Sequence, residues 1–470
     1  MIVKTRIAPS PTGLPHIGTM YQALINYAFA KKNKGQFLVR IEDTDQSRLV
    51  AGAEKALFDA LDWLGLKPDA KSIKQSQRLP IYREHAEKLI ELKHAYYCFC
   101  SEARLEQLRK EQTLAGKAPM YDGQCRNLDR EPAAERAKSE PHVIRLKVPK
   151  DETLVIEDLL RGKVSFDSNL VDDQVLIKSD GYPTYHLAMA VDDHLMAITH
   201  VVRGEDWLSS SPKLKLIYRY FGWSLPILVH TPILRNPDRS KLSKRHGHAA
   251  VSWYQQQGYL PEAVINFLIT RVWNHPQGKE VFGLDEIIKH FDFKAMHLTG
   301  PIVDLDKLNW LNGQWLRRLP EKQLWPELKE FLPESLSRAV FKPIWPLLKD
   351  RLVKLSDLPL QTQYFVSQPQ LKVPEILGES RMTAKDTGLY LIKVAEIIKN
   401  IKPWAVKNLE NKLHQLQVAE NLKPRPAFMT IRLSVTGSPA TPPLFDVLHI
   451  LGQTVVLKRL QYAQKILKSR

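Results

Sequence analysis

The sequence predicts a multidomain chain, α/β in its first half and all-α in its last third, and three observations predict it. At 470 residues the chain is too long for one ordinary domain and suggests three or more. Its first 65 residues read strand, helix, strand, helix, at the spacing of a parallel-sheet unit. Beyond residue 320, prolines at 320, 326, 333, 343, 346, 359, 369 and 374 cut the chain into short helical pieces in which Leu, Trp and Phe stay frequent.

Composition narrows the function classes. An apolar content of 44% suffices for real cores, and 25% charged residues keep the surface soluble. No run approaches the roughly 18 apolar residues of a membrane span. Residues 1–20 lack the basic-then-apolar order of a signal peptide, so no membrane partner is expected and the cytoplasm is the expected location. The formal charge of +17 is uneven: residues 391–470 hold thirteen Lys/Arg against four Asp/Glu. Such asymmetry suits a polyanionic partner, because neutralised phosphates release counterions; a merely basic, solvated surface is the alternative. Three cysteines, an odd number in a long chain, argue against a disulfide framework.

In order along the chain, residues 2–8 alternate as a strand, and apolar residues from Met20 recur at helical spacing until Gly35. Between them lies Pro9-Ser10-Pro11-Thr12-Gly13-Leu14-Pro15-His16-Ile17-Gly18-Thr19, stiffened by three prolines and opened by two glycines. His16, Gly18 and Thr19 fall at the helix N-terminus, where unpaired N–H groups and the helix dipole favour a phosphate. The bland alternative is a proline-rich turn whose histidine caps a helix. Residues 36–43 form a second strand that delivers Arg40, Glu42, Asp43 and Asp45 to a loop, and residues 53–64 a second helix. Ligands of such sheets gather at the carboxyl ends of the strands, where His16 and Glu42 both stand.

Residues 83–97 read as one amphipathic helix, followed by Cys98-Phe99-Cys100 and, later, Cys125. Three cysteines begin a tetrahedral zinc site but do not complete it, and three reduced thiols are the alternative. Residues 140–190 are β-rich, so 83–185 looks like an insertion splitting the α/β domain. Tyr185 then opens an apolar run ending in Asp192-Asp193, and a strand at 198–202 ends in Arg203-Gly204-Glu205-Asp206-Trp207, at the same crevice as His16. A basic loop follows, Lys241-Leu242-Ser243-Lys244-Arg245-His246-Gly247; alone it is a solvated turn. Helices are expected at 258–271, 285–291, 304–318 and 384–401, with further helical segments around an irregular turn at 437–443.

The His16 segment and the Lys241 loop, in this order and one domain apart, resemble the HIGH and KMSKS signatures of class I aminoacyl-tRNA synthetases. Arg40-Ile41-Glu42-Asp43-Thr44-Asp45 extends the resemblance to bacterial-type glutamyl-tRNA synthetases, over essentially the whole chain. It implies a Rossmann-like catalytic domain at 1–82 and 186–245, and an insertion at 83–185 that grips the acceptor end of tRNA. A stem-contact domain at 246–320 and helical anticodon-binding domains at 321–380 and 381–470 would follow. The implied reaction joins L-glutamate to tRNA(Glu) at the expense of ATP with Mg2+, in a monomer, with tRNA(Gln) left open as a second substrate.

By the same resemblance Pro9, Thr12, Gly13, His16, Gly18, Thr19, Asp206, Trp207, Leu234, Lys241 and Lys244 would hold ATP, with His16, Gly18, Lys241 and Lys244 catalytic. Arg6, Ala8, Ser10, Glu42, Tyr185 and Arg203 would surround glutamate. Two arginines suit its side-chain carboxylate, and Glu42 its α-ammonium. Met189 departs from the asparagine of some relatives. For zinc, Asn127 stands where many bacterial relatives have His, while Tyr121 stands where glutamyl-queuosine enzymes place a tyrosine ligand beside their cysteines, here Cys98, Cys100 and Cys125. The competing readings are a glutamyl-queuosine-type synthetase, against which the Lys241 loop and the last 150 residues argue, a small-molecule nucleotidyltransferase, which would not need the basic helical tail, and a non-enzymatic tRNA-binding paralogue.

Overall fold

The computed structural model describes residues 2–242 and 247–468. The chain forms two compact units, Met1–Gln255 with Pro261–Leu308, and Gln256–Leu260 with Asn309–Arg470.

In the first unit β1 (Lys4–Ile7), α1 (Ile17–Lys32), β2 (Gln36–Ile41), α2 (Ala53–Trp63) and β3 (Ile73–Lys74) alternate, and the strands form a parallel sheet in the order β1-β2-β3. The alternation places Phe37, Val39 and Ile41 in the core beneath Leu24, Ile25 and Ala28 of α1. Gly35 makes the return from α1 feasible: a Cβ there would lie 2.2 Å from the Val3 carbonyl oxygen.

Next come α3 (Leu79–Glu91), β4 (Ala95–Cys98), α4 (Glu102–Leu114), α5 (Arg130–Arg136), β5 (Val143–Leu146), β6 (Thr153–Asp158), β7 (Gly162–Asp167), β8 (Val175–Ile177), α6 (Tyr185–Leu195), β9 (His200–Gly204), α7 (Ser211–Phe221) and β10 (Ile227–Thr231). They build an antiparallel sheet β4-β5-β8 and a second mainly parallel sheet β7-β6-β10-β9. The backbone N–H of Thr199 donates to Lys4 O at 3.0 Å, joining the start of β9 to β1. Strand order therefore reverses between β1 and β9, and a crevice opens there at the carboxyl ends of the strands.

Two expectations change. The helix expected over 83–97 stops at Glu91, because Lys93 turns left-handed (φ 62°) and His94 N–H closes back on Leu89 O. Ala95-Tyr96-Tyr97-Cys98 then pairs as β4 with β5. Residues 153–167, expected within the insertion, form the β6–β7 hairpin and join β10 in the second, mainly parallel sheet, with Leu154, Ile156 and Asp158 on the buried face.

The unit continues through α8 (Val251–Gln256), α9 (Pro261–Thr270), α10 (Leu284–His290) and the start of α11 (Leu305–Arg318). Residues up to 308 belong with the α/β core because they pack on α1: Phe293 packs tilted against Phe29 at 4.5 Å between ring centres, and Lys32 Nζ donates to Phe291 O at 2.6 Å.

The second unit holds α12 (Glu321–Phe331), α13 (Arg338–Phe341), α14 (Trp345–Leu348), α15 (Leu358–Val366), α16 (Val373–Ser380), α17 (Ala384–Lys399), α18 (Val406–Ala419), α19 (Pro424–Thr436), α20 (Leu444–Leu451) and α21 (Gln453–Lys468), with no strand among the described residues. Pro326 does not break its helix; it sits inside α12 between buried Leu324 and Leu328. The expected boundary at 380 is bridged by Arg459, a buried guanidinium on α21 that donates to Ser367 O after α15 and to Val435 O in the last turn of α19. One cation thus satisfies orphan carbonyls at two helix C-termini.

Candidate active site

The site is built on the start of α1. His16 is its N-cap, in extended backbone conformation, and its Nδ1 accepts the Gly18 N–H at 3.0 Å. In the neutral ring the proton then sits on Nε2. A Cβ on Gly18 would lie 2.9 Å from that Nδ1, so glycine is what lets the ring fold over the helix end. The preceding turn is tied to its neighbours through backbone carbonyls: Pro9 O accepts Glu42 N–H, Pro11 O accepts Val50 N–H, and Pro15 O accepts Val251 N–H, each at 3.0 Å.

These bonds bring the distant signatures together. Leu242 N–H donates to Leu234 O at 3.3 Å on one side of the Lys241 loop, and beyond its far end Ala250 bridges to His16. Lys241 Nζ is 2.5 Å from Asp206 Oδ2. Lys244 lies outside the described residues.

A cavity of about 560 Å³ fills the crevice. It is lined by Arg6, Ala8, Pro9, Ser10, His16, Gly18 and Thr19 from the first signature, and by Glu42, Tyr185, Arg203, Asp206, Trp207, Leu234 and Lys241 from elsewhere. Thr12 and Gly13 do not line it. Gly13 (φ 138°) and the Thr12 N–H, bonded to Ser10 O at 2.9 Å, shape the turn instead. Met189 is fully buried in the apolar core below and likewise does not line the cavity. Arg48, Tyr21 and Gln22 do, and sequence reasoning did not single them out. Tyr185 and Trp207 stack at 4.3 Å and wall one side.

Charge in the floor is dense and buried. Asp193 takes Arg6 in a fork, Nε at 3.0 Å and NH2 at 2.8 Å, and also accepts from Arg40 NH1 at 2.6 Å. Burial works against the Asp193 carboxylate, but the two guanidinium groups outweigh it and hold its pKa below the usual range. Arg40 reaches Glu42 Oε1 through NH2 at 3.0 Å. Burial pushes the Glu42 pKa up to about 7, with Arg40 pulling the other way. Asp192 anchors the surroundings, accepting from Tyr82 OH at 2.7 Å, Arg78 Nε at 2.9 Å and Gln75 Nε2 at 3.0 Å. Arg203 is similarly held, donating to His230 Nε2, Ser211 Oγ, Tyr185 Oη and the Trp207 carbonyl at 3.0 to 3.3 Å. The sequence singled out Arg6 and Arg203, placed Asp193 only at the end of an apolar run and Arg40 only in a charged loop, and gave no sign of Ser211 or His230.

Away from this crevice, the sulfur atoms of Cys98, Cys100 and Cys125 lie within 4.8 Å of one another. The Cys100–Cys125 separation is 3.7 Å, against about 3.8 Å for two thiolates on one tetrahedral zinc. Tyr121 Oη is 3.3 Å from Cys98 Sγ and 3.5 Å from Cys100 Sγ. Asn127 instead lines a neighbouring cavity with Arg126 and Arg130. Three thiols and a phenol at these distances fit a zinc ion.

Residues 2–310 match the family model for class I tRNA synthetases (E and Q), catalytic domain, and residues 323–464 match an anticodon binding domain. Among curated proteins, the glutamate–tRNA ligase of Gloeobacter violaceus is 42% identical over 98% of this chain and 95% of its own. That of Pseudomonas putida strain F1 is 42% identical over 99% and 96%. A crystal structure of a glutamate–tRNA ligase from Elizabethkingia meningosepticum, in complex with its amino acid, superposes with a TM-score of 0.90 at 32% identity, covering 99% of this chain and all of that one.

Proposed function

Since the chain belongs to the glutamate–tRNA ligases, a family of class I aminoacyl-tRNA synthetases, we propose that the crevice between β1 and β9 is where its two small substrates meet. The enzyme activates L-glutamate with ATP and Mg2+ and transfers the glutamyl group to the 3′-terminal adenosine of tRNA. In the first step an α-carboxylate oxygen bonds to the α-phosphorus of ATP as the bond to the β-phosphate oxygen breaks and pyrophosphate leaves. In the second, a ribose hydroxyl attacks the acyl carbon, loses its proton, and AMP departs.

Neither step needs an enzyme nucleophile. Both need alignment and positive charge where the phosphates gain negative charge. His16 Nε2–H and the N–H groups around Gly18 and Thr19 serve the phosphates from the helix end. Lys241, with Lys244, serves them from the loop, and Lys241 exchanges its partner Asp206 for the β- and γ-phosphates as ATP enters, holding them as pyrophosphate once the bond to the α-phosphorus has broken. Pro9, Asp206, Trp207 and Leu234 hold the nucleoside; Thr12 and Gly13 act through the shape of the turn. Glutamate lies between Ala8, Ser10 and Tyr185, its ammonium on Glu42 and its side-chain carboxylate on Arg6 and Arg203. Guanidinium donors reject glutamine, whose amide would aim donors at donors.

One observation carries this reading: a single cavity collects Arg6 and His16, Glu42, Arg203 and Lys241 from four separate stretches of chain. The test is ATP–pyrophosphate exchange with purified tRNA(Glu) present. Exchange driven by glutamate is expected, and exchange driven equally by glutamine would overturn the pocket assignment. Aminoacylation of purified tRNA(Glu) and tRNA(Gln) side by side reads the tRNA range.

Zinc on Cys98, Cys100, Tyr121 and Cys125 would staple β4 to the Tyr121–Cys125 segment and takes no part in the reaction. One zinc per chain by metal analysis is expected, lowered in Tyr121→Phe.

A further inference from the structure

Strands β6, β10 and β9 run side by side and contribute Asp158, His230 and Arg203; His230 and Arg203 share a row, and Asp158 stands diagonally, two residues back along β10. Leu228 is in register with Asp158, and His230 with Arg203. All three are buried, at 5%, 0% and 7% exposure. Asp158 Oδ2 accepts the His230 backbone N–H at 3.1 Å and lies 2.7 Å from His230 Nδ1. Asp158 Oδ1 accepts the N–H groups of Leu160 and Arg161.

Direction follows from the chemistry of the groups. A carboxylate only accepts, so the proton of this imidazole is on Nδ1. The Nε2 lone pair then accepts from Arg203 Nε–H at 3.0 Å, with Ser211 Oγ 3.3 Å away. Burial lowers the basicity of His230 against the pull of Asp158, and the charge of Arg203 lowers it further, so the ring stays a neutral acceptor. A guanidinium is planar, with its donors in a rigid fork. With Nε fixed on His230 and NH2 on Ser211 and the Trp207 carbonyl, the plane is set, and NH1 is left to face Tyr185 and the cavity.

We infer that His230, its tautomer fixed by Asp158, is a positioning residue that sets the plane of Arg203 and thereby the affinity for the side-chain carboxylate of glutamate; this rests on the reading of Arg203 given above. Neither Asp158 nor His230 lines the cavity, so they act through Arg203 alone.

Two substitutions separate the two bonds of the ring. His230→Asn keeps a donor where Nδ1 sits and removes the acceptor. His230→Gln keeps an acceptor where Nε2 sits and gives up the donor to Asp158. In pyrophosphate exchange with full-length protein and tRNA(Glu), His230→Asn is expected to raise the KM for glutamate about tenfold or more, with the KM for ATP within about twofold. His230→Gln is expected to stay within about threefold of the parent for both substrates. A purely structural role would penalise the two variants alike and both substrates alike, so equal losses overturn the inference, as does an unchanged glutamate KM in His230→Asn.

Arg203→Ala, assayed in parallel, tests the premise separately. If its glutamate KM is unchanged, the pocket reading fails; if it rises while that of His230→Asn does not, only the role of His230 fails. A measurement without any variant guards against misfolding. In protein carrying ¹⁵N-histidine, the His230 ring is expected to show a protonated Nδ1 and a bare Nε2 at neutral pH, and a protonated Nε2 with a bare Nδ1 overturns the proposal.

Discussion

Glu42 is a carboxylate that the fold has brought to the edge of neutrality. Burial raises its pKa to about 7, the Arg40 guanidinium pulls it back, and Asp193 adds a further push upward. Its proposed partner, the α-ammonium of glutamate, needs the ionised form. As pH falls through about 7 the free enzyme loses that form, so kcat/KM for glutamate should decline on the acid side with a limb centred near this value. Glu42→Gln should lower the plateau and remove the limb; a limb that persists in the variant would assign the titration elsewhere. The residues of the proposed pocket were legible in unequal measure. Arg6, Glu42, Tyr185 and Arg203 sit at recognisable distances from the two signatures. Asp193 and His230 do not, because their meaning depends on partners that only the sheet supplies: Arg6 lies 187 positions before Asp193 in the sequence. Asp192-Asp193 at the end of an apolar run was the available clue, since two acids on a buried helix face must be paired.

At the scale of the element, the start of α1 is the part whose sequence and structure agree in most detail. Proline stiffness and glycines that allow close approach were readable from the sequence, because each is a local backbone requirement, and the histidine cap stood there as the bland alternative; that Gly18 is what admits the ring is seen only in the structure. The same locality makes a sharp prediction. In Gly18→Ala the new Cβ would stand 2.9 Å from His16 Nδ1, and the ring must swing off the helix end. The helix itself gains, since alanine is the better former by about 1 kcal/mol. Adenylation should therefore fall at least about tenfold while thermal stability is kept or slightly raised. Equal loss of activity and of melting temperature would instead mean that the turn had collapsed. Where elements were misread, the cause was non-local. Ala95–Cys98 continues an apolar period that suits a helix, and only the left-handed Lys93 and pairing with β5 make it a strand. The β6–β7 hairpin belongs to the second, mainly parallel sheet because β10, some 70 residues later, offers it an edge.

Across the whole molecule, charge separates the substrates physically. The chain carries a net +17, and residues 391–470 alone contribute thirteen cations against four anions. On the reading proposed above, a tRNA would meet that surplus as an extended polyanion, and each phosphate neutralised would release a counterion to bulk salt. In the proposed pocket glutamate would meet Arg6 and Arg203 inside a crevice, where both guanidiniums are almost fully buried and screening is weak. Salt should therefore act on one substrate and spare the other. If about six phosphates are engaged, the Kd for tRNA should rise by roughly 10³ between about 50 and 200 mM salt, along a straight line in log–log coordinates. Over the same range the KM for glutamate at saturating tRNA should change by less than about threefold. Filter binding and pyrophosphate exchange on the same preparation measure the two. A tRNA affinity indifferent to salt would show that the basic surface is not what holds the nucleic acid; a glutamate KM that climbs in parallel with the Kd would show that the two arginines are more open to solvent than their burial implies.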